Sequence, residues 1–214
     1  MDHHIKIKTK LLKEILHNVS FYGLSENSFR HACSGSGIDL SHAQLVCPRL
    51  ALDLAVFFHI LGDKKMLERI QGYDFLTQRF RDKVATAVRF RLESVEDKEA
   101  VRRAATLFAL PQNAVIGAQL IWTTADAIWT GLGDSSMDVI WYTKRATLSM
   151  VYGSCVLFWL GDDSPDNTAT LDFLDRRIEN VMHFEKVKSN LRENVPLQKL
   201  ISAPDWLFSK IKSL

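Results

Sequence analysis

Cysteines are few in this sequence of 214 residues, and no two of them form a CxxC pair. Cys33, Cys47 and Cys155 argue against a disulfide framework or a zinc site and fit free thiols in a reducing compartment. Long apolar runs are missing too. The uncharged stretch at residues 146–161 is shorter than the about 20 residues that a membrane-spanning helix needs, so we expect a buried helix there. Residues 1–13 contain four lysines and no long apolar segment, so no signal peptide is expected.

The sequence also lacks the common catalytic motifs. It contains no GxSxG, Walker or dinucleotide-binding pattern. Glu14-x-x-His17 is a single ExxH, whereas a di-iron bundle requires two, with further carboxylates on facing helices. We therefore predict a protein that is not an enzyme, with no catalytic residues, no metal site and no cofactor.

Strand signals are weak as well, because no segment shows sustained alternation with a period of two and neither Asn-Gly nor Asp-Gly occurs. Apolar residues recur instead at helical spacing, which predicts an all-α fold of about ten helices. We expect a loop at the SGSG of residues 34–37, and helices at 6–20, 73–92 and 95–110. Ser94 with Asp97 is expected to cap the last of these, Pro111 to open the next helix, and Ser164 to cap a helix with Pro165 in its first turn.

Charge is balanced overall, with a formal net charge of +2, which gives no reason to expect nucleic-acid binding. Along the chain it is uneven. Residues 186–214 contain six lysines and arginines and two acidic residues. Residues 134–185 contain nine acidic residues and four lysines and arginines.

The octapeptide DVIWYTKR, residues 138–145, combines aromatic and charged side chains in one predicted helix. Asp138, Trp141, Tyr142 and Arg145 fall within a stripe about 100° wide on that helix. A core stripe would not contain Asp and Arg, and a solvated one rarely contains Trp and Tyr. Trp, Tyr and Arg are the residues enriched at binding hot spots, so this stripe indicates a protein-binding face.

Motifs around this octapeptide resemble a known family. They are AD-x-x-W at 125–129, GD-S-S at 133–136, D-x-x-WYTKR at 138–145 and D-S-P-D at 163–166. Residues 123–178 resemble the coenzyme Q biosynthesis accessory proteins, lipid-binding relatives of the tetracycline-repressor-type regulators. The match continues loosely through LVCPRLALDLAVFF at 45–58, where Leu50-Ala51 stands in place of the family's glycine-proline or similar small pair.

The resemblance implies a tetracycline-repressor-like fold with a degenerate N-terminal helix-turn-helix. It also implies a cavity for isoprenoid quinone intermediates or phospholipid, and a di-iron demethoxyubiquinone hydroxylase that docks on Asp138, Trp141, Tyr142 and Arg145. A homodimer contact or core packing remains the alternative for that face, and a homodimer is expected in either case.

Trp122 and Trp129 share one face of a predicted helix, and four apolar residues lie on the next: Met150, Val151, Val156 and Phe158. Apolar stripes at helical spacing usually form the core. With the resemblance, we expect these six residues to contact the lipid.

Residues 190–203 contain Pro196 and no periodic run, which predicts a linker. The following residues, 204–214, predict a short amphipathic helix that is typical of a membrane interface. Its alternative is a terminal helix packed on its own domain. The expected membrane contacts are Trp206, Leu207, Phe208, Lys210, Ile211, Lys212 and Leu214.

Three parts of the chain follow from these patterns: a helix-turn-helix-like subdomain (1–72), a helical lipid-binding body (73–189), and the linker with its membrane helix (190–214). The expected location is cytoplasmic, peripheral at the inner face of a bacterial membrane, or the matrix side of the inner mitochondrial membrane for a processed organellar protein. A ligand-sensing regulator and an adaptor without ligand remain alternatives. DNA binding is disfavoured because Arg49 is the one lysine or arginine in residues 35–52.

Overall fold

The computed structural model describes residues 2–95 and 97–194, without the side chains of residues 2, 138 and 182–194. Within these ranges the chain is helical and contains no strand, so the all-α prediction is confirmed. The helices are α1 Asp2–His17, α2 Val19–Tyr22, α3 Glu26–Ser36, α4 Leu40–Val46, α5 Ala51–Gly72, α6 Phe80–Glu93, α7 Lys98–Ala109, α8 Ala114–Gly131, α9 Asp138–Leu160 and α10 Thr168–Asn194, with a 3-10 turn at Pro165–Asn167 before α10.

The amino-terminal helices share one hydrophobic core. Leu11 and Ile15 of α1 are fully buried against Phe29 of α3, and Cys33 and Cys47 belong to the same cluster. Like Cys155, they are buried and form no disulfide. α3 and α4 form the helix-turn-helix, with Gly37 in the left-handed region at φ 66°.

The loop expected at residues 34–37 is wrong, because α3 continues through Ser36. Gly35 is helical, and a Cβ there would lie 2.9 Å from Oε2 of Glu14. The glycine therefore permits the close approach of α1 and α3 and does not break the helix.

Helix starts also differ from the sequence expectation. α6 begins at Phe80, seven residues after the expected position. Asp97, and not Ser94, caps α7, since its carboxylate accepts hydrogen bonds from the amides of Glu99 and Ala100 at 2.8 and 3.1 Å. Pro111 precedes α8, which begins only after Asn113.

At the start of α10, Ser164 precedes the 3-10 turn with Pro165 as its first residue. The Oγ of Ser164 accepts a hydrogen bond from the amide of Ala169 at 3.0 Å. Asp162 accepts from the amide and the hydroxyl of Thr170 at 2.8 and 2.5 Å. These two side chains together satisfy the first turn of the helix.

The chain divides into two compact units, Met1–Asp175 and Arg176–Leu214. The first contains α1 to α9 and the start of α10. Its most extensive helix pairs are α8 with α9, α1 with α3, and α5 with α8. The predicted boundaries at residues 72 and 189 stay predictions.

No single helix among the described residues is long and apolar enough to cross a membrane. α4 and α5 taken together satisfy that test of length and composition, but they are bent by 53°.

Candidate functional site: a cavity and an aromatic face

Helices α5 to α9 of the first unit enclose a cavity of about 440 Å³. This volume lies within the roughly 300–1,000 Å³ typical of small-molecule sites. Its wall is largely apolar, with Phe58, Leu92, Val101, Phe108, Ile121, Val156 and Trp159 among the lining residues. Four lining residues are exposed to solvent, and they define the opening of the cavity: Ala109, Ala114, Ala118 and Leu157.

The wall also contains polar side chains, His59, Arg91 and Tyr152, which are mostly or fully buried. The Nε of Arg91 donates to Oδ1 of Asp63 at 2.6 Å, and its Nη2 donates to the carbonyl of His59 at 3.2 Å. Thr124 Oγ1 lies 2.9 Å from the same Oδ1 of Asp63 and 2.8 Å from Nε2 of His59. We call these five residues the polar cluster.

A glycine makes room for the guanidinium. A Cβ at Gly62 would lie 2.7 Å from Cζ and from Nη1 of Arg91. The guanidinium thus lies directly against the backbone of α5, which fixes its position beside Asp63.

Burial sets the protonation of the cluster. Burial first, and then the positive charge of Arg91, lower the pKa of His59 to about 4, so the imidazole is neutral at neutral pH. Burial likewise raises the pKa of Tyr152, which keeps the phenol protonated. Arg91 and Asp63 balance each other, because their side chains form a buried ion pair. The wall of the cavity therefore has no net charge from these four groups.

Of the six residues expected to contact lipid, Val156 lines this cavity and the other five are not among its lining residues. Trp129 is buried and donates from Nε1 to the carbonyl of Lys144 at 3.1 Å. Val151 is a core residue, Met150 is 70% exposed, and Phe158 stacks on Phe173 with 4.4 Å between ring centroids. Trp122 belongs to a different surface, described below. Their contact with lipid stays a prediction.

The polar cluster was not predicted, although one signal for it exists in the sequence. His59 and Asp63 lie four residues apart in the otherwise apolar run of α5, where a solvated pair is not expected. Arg91 and Thr124 come from distant positions, so only the fold brings them to this pair.

An aromatic face lies at the start of α9, where Trp141 and Tyr142 meet Trp122 of α8. Trp141 and Tyr142 meet edge to face with 4.8 Å between centroids, and Trp122 lies 6.0 Å from Trp141. Tyr142 is 62% exposed. Exposed apolar side chains continue the same helix turn at Val139 and Ile140. A patch of this composition at the surface is typical of a protein interface.

Arg145 lies behind this face and is only 2% exposed, which corrects the expectation that it is a surface contact. Its Nε donates to Oδ1 of Asp126 at 2.5 Å, and its Nη1 donates to Oδ2 of Asp134 at 3.1 Å. Its Cζ lies 3.9 Å from the centroid of the Trp141 ring. The guanidinium therefore packs against the buried side of the indole in a cation–π contact.

Asp134 completes this support. Burial alone would raise the pKa of its carboxyl, but hydrogen bonds from Lys144, Ser136 and Arg145 outweigh burial and hold the pKa well below its usual range. The carboxylate thus stays ionised and ties the loop before α9 to the helix.

The linker expected at residues 190–203 is wrong for residues 190–194, which belong to helix α10. The rest of the expected linker and the side chain of Asp138 lie outside the described residues. So do the membrane contacts expected at Trp206, Leu207, Phe208, Lys210, Ile211, Lys212 and Leu214. In the part of the chain that the structure describes, no group of three or more His, Cys, Asp or Glu could hold a metal ion.

Comparison with known proteins gives a match to the COQ9 family model at residues 114–185, which contain α8 and α9. A probable ubiquinone biosynthesis protein coq9, mitochondrial, of Dictyostelium discoideum is 29% identical over 199 residues, which cover 89% of this chain and 64% of that protein. The mitochondrial ubiquinone biosynthesis protein COQ9 of Rattus norvegicus is 35% identical over 58% of this chain and 40% of its own length. The Homo sapiens protein of that name is 32% identical over 56% and 37%.

The chain thus spans less than two thirds of the length of these relatives. Among solved structures, a TetR transcriptional regulator from Nitrosomonas europaea superposes with a TM-score of 0.66, covering 81% of this chain and 97% of the regulator. Its identity of 13% makes this a likeness of fold. The resemblance indicated by residues 123–178 is therefore confirmed: this part of the chain is similar to the coenzyme Q biosynthesis protein COQ9, and it lies on a tetracycline-repressor-like fold.

Proposed function

We propose that this chain is a non-catalytic lipid-binding accessory protein of ubiquinone biosynthesis. In this proposal it binds isoprenoid quinone intermediates and presents them to a di-iron demethoxyubiquinone hydroxylase at a membrane. The similarity to COQ9 proteins supports a role in ubiquinone biosynthesis, and the apolar cavity supports an isoprenoid lipid as the ligand. The names of the relatives support a mitochondrial location, and within it we propose the matrix side of the inner membrane; the inner face of a bacterial membrane is the alternative.

The apolar cavity carries this proposal. An isoprenoid tail in water exposes apolar surface at about 0.8 kcal/mol per CH₂ group, so each five-carbon unit that enters the cavity gains several kcal/mol. α8 and α9, which the family match covers, supply Ile121 and Val156 to its wall. The same two helices contribute the aromatic face, so ligand and partner sites share their framework.

Native mass spectrometry with organic extraction of the purified protein tests the ligand. We expect a quinone or another isoprenoid lipid at a sizeable fraction of one per chain. A protein that is lipid-free, and that binds no added isoprenoid quinone, would contradict the proposal and favour the adaptor alternative.

The aromatic face is the proposed docking surface for the hydroxylase. Tyr142→Ser removes an exposed ring and should weaken co-purification with the hydroxylase about tenfold or more, because hot-spot tyrosines contribute about 2 kcal/mol or more. Phe21→Ser is the matched control, since Phe21 is 85% exposed on α2. If Tyr142→Ser instead dissociates a dimer on size exclusion with light scattering and leaves hydroxylase binding intact, the face serves the homodimer.

Membrane contact is proposed for the basic carboxyl-terminal segment. Deleting residues 203–214 should reduce co-sedimentation with liposomes, and more strongly when anionic lipid is present. Unchanged co-sedimentation would remove this part of the proposal.

The helix-turn-helix gives little support to the regulator alternative. α4 exposes His42, Gln44 and Leu45, and Leu45 is 80% exposed. Arg49 donates to the Asp53 carboxylate, from its amide at 2.7 Å and from Nε at 2.8 Å. A recognition helix needs side chains that read bases and neutralise phosphates. An operator-selection screen that recovers one specific sequence would favour the regulator instead.

A further inference from the structure

A cavity that holds only an isoprenoid tail requires no hydrogen-bonding groups, yet its wall contains His59, Arg91 and Tyr152. Burying such groups is unfavourable unless they are hydrogen-bonded. Helices α5, α6 and α9 each contribute one of them, and Thr124 of α8 lies within hydrogen-bonding distance of His59 and Asp63 on α5. The polar cluster thus contains residues of four helices at a place where apolar side chains would have sufficed to close the wall.

The polar cluster is buried, whereas the opening of the cavity is exposed to solvent. Arg91 and Tyr152 are 5% and 3% exposed, whereas Leu157 at the opening is 70% exposed. A ligand that enters past Leu157 therefore reaches the polar cluster with its leading end, and its remainder lies along the apolar wall. A volume of about 440 Å³ suits a drug-sized molecule. A ring with its first isoprene units fits, and the rest of a long tail extends out through the opening.

The cluster offers donors to this leading end. Arg91 uses three of its five N–H groups in bonds to Asp63, to the carbonyl of His59 and, at 3.4 Å, to Ser94. The phenol of Tyr152 lines the same wall, and its ring centroid lies 5.9 Å from Cζ of Arg91. These donors suit oxygen acceptors on a ligand.

The charge of the polar cluster determines which class of oxygen acceptor it can bind. The Arg91 charge is already balanced by Asp63 at 2.6 Å, and the imidazole of His59 and the phenol of Tyr152 are neutral. A phosphate or carboxylate would bring an uncompensated negative charge into a buried space, which is strongly unfavourable. Carbonyl, phenol or ether oxygens need hydrogen bonds only.

We propose that the polar cluster is a head-group subsite for an uncharged, oxygen-bearing ring of the quinone or phenol class, which binds with its tail toward the opening at Leu157. This inference rests on the proposed lipid-binding function and specifies its ligand and orientation. His59, Arg91 and Tyr152 form the contact surface, and Asp63, Thr124 and Gly62 position them.

Isothermal titration of the full chain with three probes that share a geranyl tail tests the subsite. The probes are geranyl-benzoquinone, geranylbenzene and geranyl phosphate. We expect the quinone to bind about tenfold more tightly than geranylbenzene, since a buried hydrogen bond contributes on the order of a tenfold change in affinity. The phosphate should bind more weakly than the quinone.

Tyr152→Phe removes one hydroxyl and should lower the quinone preference to about threefold, while His59→Phe tests the imidazole in the same way. Val156→Ala is the matched control, because Val156 lies one turn from Tyr152 on the apolar wall and its loss should weaken both uncharged probes equally. Thermal melts of each variant verify folding.

Equal affinity of the wild type for quinone and geranylbenzene would overturn the subsite while leaving a lipid cavity in place. Tightest binding of geranyl phosphate would overturn the choice of an uncharged ring. A quinone preference that survives both Tyr152→Phe and His59→Phe would overturn the assignment to these residues. Binding of none of the three probes would contradict the proposed lipid-binding function itself.

Discussion

Replacing Gly62 by alanine should destabilise the protein, although such a change inside a helix ordinarily stabilises it. Alanine is favoured over glycine in a helix interior by up to about 1 kcal/mol. At Gly62 the new Cβ would lie 2.7 Å from Cζ of Arg91, whereas carbon atoms in contact are separated by about 3.5–4.0 Å. The guanidinium must therefore move by about 1 Å, away from α5.

That movement disrupts a buried ion pair. The Arg91 and Asp63 side chains are 6% and 10% exposed and their atoms are 2.6 Å apart. Removing one partner of such a pair typically costs about 3–5 kcal/mol, which is the upper limit for this displacement. After the gain in helix propensity, the net loss for Gly62→Ala is at most about 2–4 kcal/mol. For a chain of this size, the melting temperature should fall by at most roughly 5–15 °C.

Urea and thermal denaturation followed by circular dichroism measure this change. Gly153→Ala in α9 is the matched control, because the nearest atom to its Cβ is a methyl of Ile121 at 3.7 Å, an ordinary contact. It should stabilise by about 0.5–1 kcal/mol. In a protein that carries Asp63→Asn and Arg91→Met, and therefore lacks the ion pair, Gly62→Ala should be stabilising as Gly153→Ala is. A Gly62→Ala protein as stable as Gly153→Ala would refute the placement of the guanidinium against α5.

Three further predictions concern other positions. Leu50 has φ 55°, so Leu50→Gly should be more stable than Leu50→Ala by about 1–2 kcal/mol in urea titrations, because glycine adopts a positive φ without strain; equal stability of the two variants would contradict the strained backbone. The pKa of His59 is lowered to about 4, below the about 6.5 of the unfolded chain, so the unfolded state binds the proton first and stability falls as pH drops from 6.5 toward 4. Between pH 7 and 5 the wild type should lose about 2 kcal/mol more than His59→Gln, and parallel pH profiles would show that His59 titrates normally. Arg145→Met should destabilise by about 2 kcal/mol or more because it removes one of the charged hydrogen-bond donors to the buried Asp134 carboxylate, whereas Tyr142→Ser should change stability by less than about 1 kcal/mol; similar losses for both would mean that Arg145 is not buried support.

Helical periodicity predicted the fold class well because an amphipathic stripe is a local property of the chain. Helix ends were predicted less well. The composition around Gly35 predicts a loop, but the residue lies inside α3, and its lack of a side chain leaves room for Glu14 of α1. Ser94 and Asp97 both suit a cap, and only the path of the chain decides between them.

The site depended still more on long-range packing. The pairing of Trp141 with Tyr142 follows from adjacent positions on one helix, so the aromatic stripe was recognisable. The burial of Arg145 was not, since its partners Asp126 and Asp134 come from α8 and the following loop. Trp122 was expected at a cavity, and its contact with Trp141 depends on how α8 crosses α9.

α9 has a thermodynamic consequence of its own, because one rigid helix carries both sites. Trp141 of the aromatic face and Tyr152 of the cavity wall are eleven residues apart, which is about 16 Å along the helix axis. A rotation or translation of this helix moves both side chains together. If the ligand and a partner each bind one position of α9 more tightly than another, each changes the affinity of the other by the same factor. Ligand binding and partner binding would then be coupled through a single equilibrium of this helix.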